Sequence, residues 1–199
     1  MQQLEGVICA ILLAAGQSRR MGTPKLLLPW KNTVVLGHVV DAFLEADVDP
    51  LLVVVSPESE PLRRALAGKR VQWVENPRLG SEMLESVRCG LRAAPAAVRT
   101  FLVSPADMPG LHPGLIRQLL DAHQARRARI TVPVWQGKRG HPLVFESGFR
   151  AELLMRHDGV GLRGLLQAHP AEVYEWPAPD SSPCWDLDTP DDYHRWAGQ

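Results

Sequence analysis

Leu51–Val55 is an unbroken apolar run ending in three valines. A strand of that pattern has no face to give to water, so it belongs in a sheet covered on both sides. Val7–Leu13 reads the same way, and residues 71–74, 101–103, 130–134, 143–145 and 172–176 read as further, shorter strands. Between them apolar residues recur at helical spacing: Val35, Val39, Phe43 and Leu44 within 34–46, then 61–67, then Leu84, Val87 and Leu91 within 81–93, then a helix from His112-Pro113-Gly114 through His123. Short helices are expected near 148–155 and 161–167, and a last one after Thr189-Pro190, with Thr189 as N-cap and proline in the first turn. Strand–helix alternation through Val103 implies βαβ units and a mostly parallel sheet. The expected fold class is therefore α/β, a Rossmann-like three-layer sandwich, with room in its less regular later part for an antiparallel strand or a β-arm. No repeat or linker divides the chain, so residues 1–199 are expected to form a single domain. Sheets of this kind bind ligands beyond the carboxyl ends of their strands. The loop after Leu13, Ser56, Asn76 and Asp107 all follow predicted strands and should meet on one rim.

Composition narrows the partners. A formal net charge of zero, with no long basic run, leaves little electrostatic basis for binding nucleic acid or a membrane surface. The six tryptophans are scattered and form no stacking ladder for single strands. Cys9, Cys89 and Cys184 lie far apart without a Cys-x-x-Cys pair, which argues against a zinc knuckle or disulfide scaffold and suits a reducing compartment. No secretory signal pattern or apolar run of membrane-spanning length is visible, so a cytoplasmic protein is expected. Cys9 reads as a core residue, and His38, His112, His123 and His169, which lack ligand spacing, read as structural.

The segment Leu12-Leu13-Ala14-Ala15-Gly16-Gln17-Ser18-Arg19-Arg20-Met21-Gly22-Thr23-Pro24-Lys25 carries most of the chemistry. A buried strand opening into a glycine-containing loop with cations brings backbone N–H groups and positive charge to one point, which suits a polyphosphate. The spacing is neither a P-loop nor Gly-x-Gly-x-x-Gly. The plainer reading is a strand-to-helix turn with solvated arginines. Asp107, in Ser104-Pro105-Ala106-Asp107-Met108-Pro109, is either a turn former or a carboxylate poised to hold Mg²⁺ on a triphosphate. Asp191 and Asp192 suit a helix N-terminus. Asp186 and Asp188 flank Leu187 on one short piece and are expected to point to opposite sides, so only one need face a metal. Lys138-Arg139-Gly140-His141-Pro142 is either a basic clamp for an anion or a solvated hairpin tip, and Arg163 either meets an anion or is solvated.

The first of these strings resembles the signature Leu-Ala-Ala-Gly-x-Ser-x-Arg-Met-Gly-x-x-Lys of the nucleotidyltransferases that build nucleotide-linked molybdenum cofactor. From Gly6 to about Trp196 the chain is similar to the molybdenum cofactor cytidylyltransferase family, within the MobA-like NTP transferase superfamily and the nucleotide-diphospho-sugar transferase fold type. By that resemblance Leu13, Ala14, Ala15, Gly16, Arg20, Lys25, Asn76 and Ser86 would bind nucleotide, with Arg20, Lys25 and Asp107 catalytic and Arg19 on a variable position. Asp107 would hold Mg²⁺ with Asp188 or, second, Asp186. Arg139, His141 and Arg163 would face the acceptor, and the resemblance implies a nucleotide-binding half at about 1–110 and an acceptor-binding half at about 111–199. The implied reaction is transfer of CMP from CTP to molybdopterin phosphate. GTP is the alternative nucleotide, a sugar or polyol phosphate the alternative acceptor, and a molybdenum hydroxylase the implied partner protein. Ala15, where guanylyl-adding relatives usually carry glycine, narrows the space for a purine. The pattern departs at Glu82, where the family has glycine, at Leu79, where it often has tryptophan, and at His157, where it has glycine. Glu82 and Glu85 would repel a phosphate unless they point away, and a non-catalytic nucleotide-binding or cofactor-binding module is the reading from another class.

Overall fold

The computed structural model describes residues 7–16, 21–78, 80 and 82–197. Its elements run β1 (Val7–Leu13), β2 (Pro29–Trp30), β3 (Thr33–Val34), α1 (Val35–Glu45), β4 (Leu51–Val55), α2 (Glu60–Ala65), β5 (Gln72–Glu75), α3 (Met83–Ala93), β6 (Val98–Pro105), α4 (Pro113–Arg126), β7 (Ile130–Trp135), β8 (Lys138–Arg139), β9 (Leu143–Glu146), α5 (Arg150–Met155), α6 (Leu162–Ala168), β10 (Val173–Pro177) and α7 (Pro190–Ala197). The main sheet has the order β10-β7-β9-β6-β1-β4-β5. Neighbours are parallel except β9, which is antiparallel to both β6 and β7. β9 is the antiparallel strand for which the later sequence left room. β8 is an addition: it pairs antiparallel with β7 across a two-residue turn whose residues, Gln136 (φ 48) and Gly137 (φ 80), are both left-handed, as the twist of a tight hairpin requires.

Side-chain alternation sorts each strand between two apolar layers. Ala10, Leu12, Val53 and Val55 pack with Val39 of α1 and Ile116 of α4 on one face. Cys9, Ile11, Leu52 and Val54 pack with Val87 of α3, Leu153 of α5 and Leu165 of α6 on the other. Every residue of β4 is buried, as its unbroken apolar run demands. β6 is longer than expected, Val98–Pro105, and its last residue pairs with Leu13 of β1. The chain proceeds from β1 outward through β4 to β5 and then returns to β6 on the other flank of β1. This reversal opens a crevice at the carboxyl ends of β1 and β6, where a doubly wound sheet takes its ligand. Among the described residues no helix is long and apolar enough to cross a membrane.

Candidate active site

A cleft of about 290 Å³ lies at that reversal, lined by Leu13, Ala15 and Gly16 after β1, Ser56 after β4, Asn76 and Arg78 after β5, Met83 and Ser86 on α3, and Asp107 after β6. The rim expected from the sequence is therefore assembled. Ala14, by contrast, is buried, its side chain in the core and its N–H donating to Val54 O at 2.7 Å; its side of the loop borders a neighbouring hollow. Asn76 and Ser86 are both buried at the cleft wall, Asn76 Nδ2 donating to Ser86 Oγ at 2.9 Å. Arg19 and Arg20 lie outside the described residues. Arg78 is an exposed cation on the lining that the sequence reading passed over. Its signal was available: it follows Asn76 on the same rim, and its N–H donates to Asn76 Oδ1 at 3.0 Å.

Lys25 starts a short 3-10 turn, Lys25–Leu27, whose Leu26 is buried, so its ammonium is delivered inward. There it pairs with Asp107 Oδ2, donates to Leu187 O at 2.8 Å and lies 3.5 Å from Asp188 Oδ1. Two carboxylates from distant segments thus converge on one cation. Asp107 is placed by β6: Ala106 N donates to Leu13 O at 3.1 Å, and Asp107 O accepts from Leu187 N at 3.1 Å. Buried Leu187 separates the two acids, leaving Asp188 on the cleft and Asp186 exposed off it, beside Cys184 and His141. In a regular strand residues two apart would share a face; residues 185–188 form no strand, so that rule does not hold the two carboxylates together.

Close packing holds this acidic segment. A Cβ on Gly110 would come within 2.4 Å of Ser182 O, and one on Gly140 within 2.4 Å of Pro183 O, so only glycine lets the 182–184 turn lie so near. His141 N donates to Pro183 O at 2.9 Å. Downstream, Thr189 and Asp192 form a reciprocal cap, Thr189 N donating to Asp192 Oδ2 (2.9 Å) and Asp192 N to Thr189 Oγ1 (3.2 Å). Tyr193 OH donates to Pro29 O at 2.7 Å, and Trp185 stacks on Trp196 with centroids 4.5 Å apart.

The residues expected to face an acceptor are dispersed. His141 is partly buried behind the acidic segment; burial pushes its pKa down, while Asp107, the Val103 carbonyl and Asp186 oppose that. Arg139 is exposed on β8 and paired with Glu175 of β10 at 2.7 Å, and Arg163 is exposed on α6. None of the three lines the cleft. The short β7–β8 hairpin is the reason for Arg139: cross-strand geometry turns its side chain toward the sheet edge rather than the strand ends. Glu82 and Glu85 point away from the cleft. Glu82 accepts from Gly159 N at 3.1 Å, and Glu85 meets Arg92 at 3.1 Å and Arg88 at 3.8 Å. Arg88, buried and unremarked in the sequence, donates to Leu153 O, Asp158 Oδ1 and Arg156 O at 3.0, 2.6 and 2.9 Å.

Among the described residues, no group of three or more His, Cys, Asp or Glu side chains could hold a metal alone. Asp107 and Asp188 instead suit a cation shared with a ligand's phosphates, the arrangement Mg²⁺ favours. Asp107 Oδ1, buried without a hydrogen-bond partner, is an acceptor that such a cation would satisfy.

Comparisons with known proteins give the chain's family and fold. A family model described as MobA-like NTP transferase domain matches residues 10–173. A probable molybdenum cofactor guanylyltransferase of Mycolicibacterium paratuberculosis (strain ATCC BAA-968 / K-10) is 32% identical over 174 residues, 83% of either chain. The molybdenum cofactor cytidylyltransferase of Escherichia coli (strain K12) is 27% identical over 188 residues, 94% of this chain and 93% of that one. The crystal structure of Rv0371c from Mycobacterium tuberculosis H37Rv superposes with a TM-score of 0.82 at 31% identity, covering 97% of this chain and 99% of that one. Its complex with manganese gives a TM-score of 0.79 at 28% identity, covering 98% and 99%.

Proposed function

The chain belongs to the MobA-like NTP transferase family, and from that premise we propose that it transfers CMP from CTP to the phosphate of molybdopterin, releasing pyrophosphate. The observation that carries this reading is the convergence of Asp107 and Asp188 on Lys25 beside the Ala15-Gly16 loop. In the proposed step an acceptor phosphate oxygen attacks the α-phosphorus in line. The bond to the β-phosphate oxygen breaks, and pyrophosphate leaves with the electron pair. The attacking oxygen is already anionic, so no strong general base is required and no covalent enzyme intermediate is expected. Lys25 would neutralise charge developing on the α-phosphoryl and leaving oxygens, from a site held by fixed dipoles and largely screened from water. Asp107 and Asp188 would hold Mg²⁺, which when bound neutralises triphosphate charge and orients it. Manganese in the related crystal supports a divalent ion of this kind. Asn76, Ser86 and, from the loop after β1, Leu13, Ala15 and Gly16 would contact the nucleoside. Arg20 remains an expectation from the resemblance, a second cation for the pyrophosphate.

CTP is favoured over GTP by Ala15, whose side chain stands on the cleft lining. The 32% identical guanylyltransferase is the observation that keeps GTP as the second reading. His141 and the exposed Arg139 and Arg163 would serve the acceptor only if it approaches from their side of the rim. The deciding experiment is pyrophosphate release by the purified protein with Mg²⁺, molybdopterin and each of CTP, GTP, ATP and UTP. Release with CTP alone is the expected result. Release with GTP alone would overturn the nucleotide assignment and leave the chemistry. Silence with all four would leave nucleotide binding without transfer.

A further inference from the structure

Glu82 stands where the sequence departs from its family, and its carboxylate has a definite employment. The turn after α5 is satisfied internally at two places: Val160 N and Gly161 N both donate to His157 O, at 3.2 and 2.8 Å. His157, Gly159 and Gly161 all have positive φ, which coils this turn tightly. Gly159 N–H points out of the coil and donates to Glu82 Oε2 at 3.1 Å. The neighbouring Asp158 carboxylate takes Arg88 Nη1 at 2.6 Å. Residues 156–161 are therefore held from α3 and its N-cap by two side chains: the buried Arg88 guanidinium, which meets Arg156 O and Asp158 Oδ1, and the exposed Glu82 carboxylate at Gly159 N. α3 also presents Met83 and Ser86 to the cleft, and Glu82 directly precedes Met83.

We propose that Glu82 is a positioning residue that fastens the 156–161 loop to α3 at the mouth of the cleft, and so sets the wall against which the acceptor docks. The docking half of this statement rests on the reading of the cleft as a nucleotidyl-transfer site; the fastening half does not. A backbone N–H aimed at a carboxylate is a charge-assisted hydrogen bond, stronger than a neutral one of the same length. Arg88 holds the loop at Arg156 O and Asp158 Oδ1, both on the N-terminal side of Gly159. The Glu82 contact extends that hold to the Gly159 peptide, where the tight coil turns. It also turns the Glu82 carboxylate toward the 156–161 loop and away from the nucleotide pocket.

The test compares Glu82→Ala and Glu82→Gln with the unaltered full-length protein. Glutamine keeps an acceptor oxygen for Gly159 N–H, and both substitutions are at an exposed position that leaves the core intact. The first readout is hydrogen exchange of the Gly159 amide without substrate: Glu82→Ala should exchange about fivefold faster or more, and Glu82→Gln should lie near the unaltered protein. The second is KM with CTP and molybdopterin: Glu82→Ala should raise KM for molybdopterin about three- to tenfold, as expected for one lost hydrogen bond to a charged group, with KM for CTP unchanged. Unaltered Gly159 exchange in Glu82→Ala would overturn the proposal. Faster exchange with a raised KM for CTP and an unchanged KM for molybdopterin would overturn the docking role and assign Glu82 to the nucleotide side. If the unaltered protein turns over neither substrate, the transfer reading fails, and the exchange measurement still decides whether Glu82 fastens the loop.

Discussion

Lys25 and Asp107 form an ion pair that joins the loop after β1 to the loop after β6, with side chains only 14% and 15% exposed. Among the described residues, Asp188 is the further carboxylate on this lysine, approaching the same ammonium at 3.5 Å. The pair closes the crevice where the sheet reverses direction, so charge at that point is set by two strands at once.

Asp107→Asn is expected to lower turnover about a hundredfold or more while leaving the melting temperature within a few degrees, because the amide keeps the shape and one acceptor but loses the charge. Pyrophosphate release and a thermal melt on the same preparation check it. Near-normal turnover with a normal melt would remove Asp107 from the chemistry.

Arg88→Ala should destabilise the protein by about 3 kcal/mol, since it leaves the Leu153 and Arg156 carbonyls and Asp158 without their donor and opens space beneath α5. Arg88→Lys should recover little, because an ammonium cannot reproduce the planar fork that meets three acceptors. Urea unfolding gives the measurement; a lysine variant as stable as arginine would contradict it.

Acid should weaken the fold through its buried imidazoles. Burial lowers the pKa of His123, which hydrogen-bonds with Thr131 Oγ1 at 2.8 Å, from 6.5. Burial likewise lowers that of His38, partly opposed by its hydrogen bond to the Pro109 carbonyl. The unfolded chain then binds protons that the folded one refuses. Stability is level above pH 6.5 and declines as pH falls below it, until the folded imidazoles also titrate. Urea midpoints at about pH 7.5 and 5.5 should differ, and the difference should shrink in His123→Gln. An identical pH dependence in that variant would exclude His123 as a source.

Burial pushes the Cys9 thiol up to about 12, so almost no thiolate exists in the native protein. Cys89 and Cys184, partly exposed, have thiols raised less far by the same cause. Alkylation of native protein at about pH 8 followed by mass spectrometry should label those two first and Cys9 only after denaturation. Early labelling of Cys9 would show that β1 opens in the native state.

The layered α/β architecture was legible because local patterns dictate it. An unbroken run such as Leu51–Val55 can only be covered on both faces, and the stripe of Leu84, Val87 and Leu91 can only lie along a sheet. The rim residues after β1, β4, β5 and β6 were legible for the same reason: in a parallel sheet all carboxyl ends face one way. What escaped were features made by contact between segments remote in sequence. Arg88 looked like any surface arginine of an amphipathic helix until α5 and its following turn supplied three acceptors. Arg139 looked like a clamp for an anion until β10 brought Glu175 beside it.

Sequence by itself determined which segments are strands and helices and the carboxyl-end rim, because side-chain periodicity is a property of the backbone and needs no partner. Tertiary structure alone decided which carboxylate meets Lys25, where Glu82 spends its charge and which arginines are already paired. A charged side chain can reach in many directions, and its energy depends on what the rest of the fold places within a few ångströms.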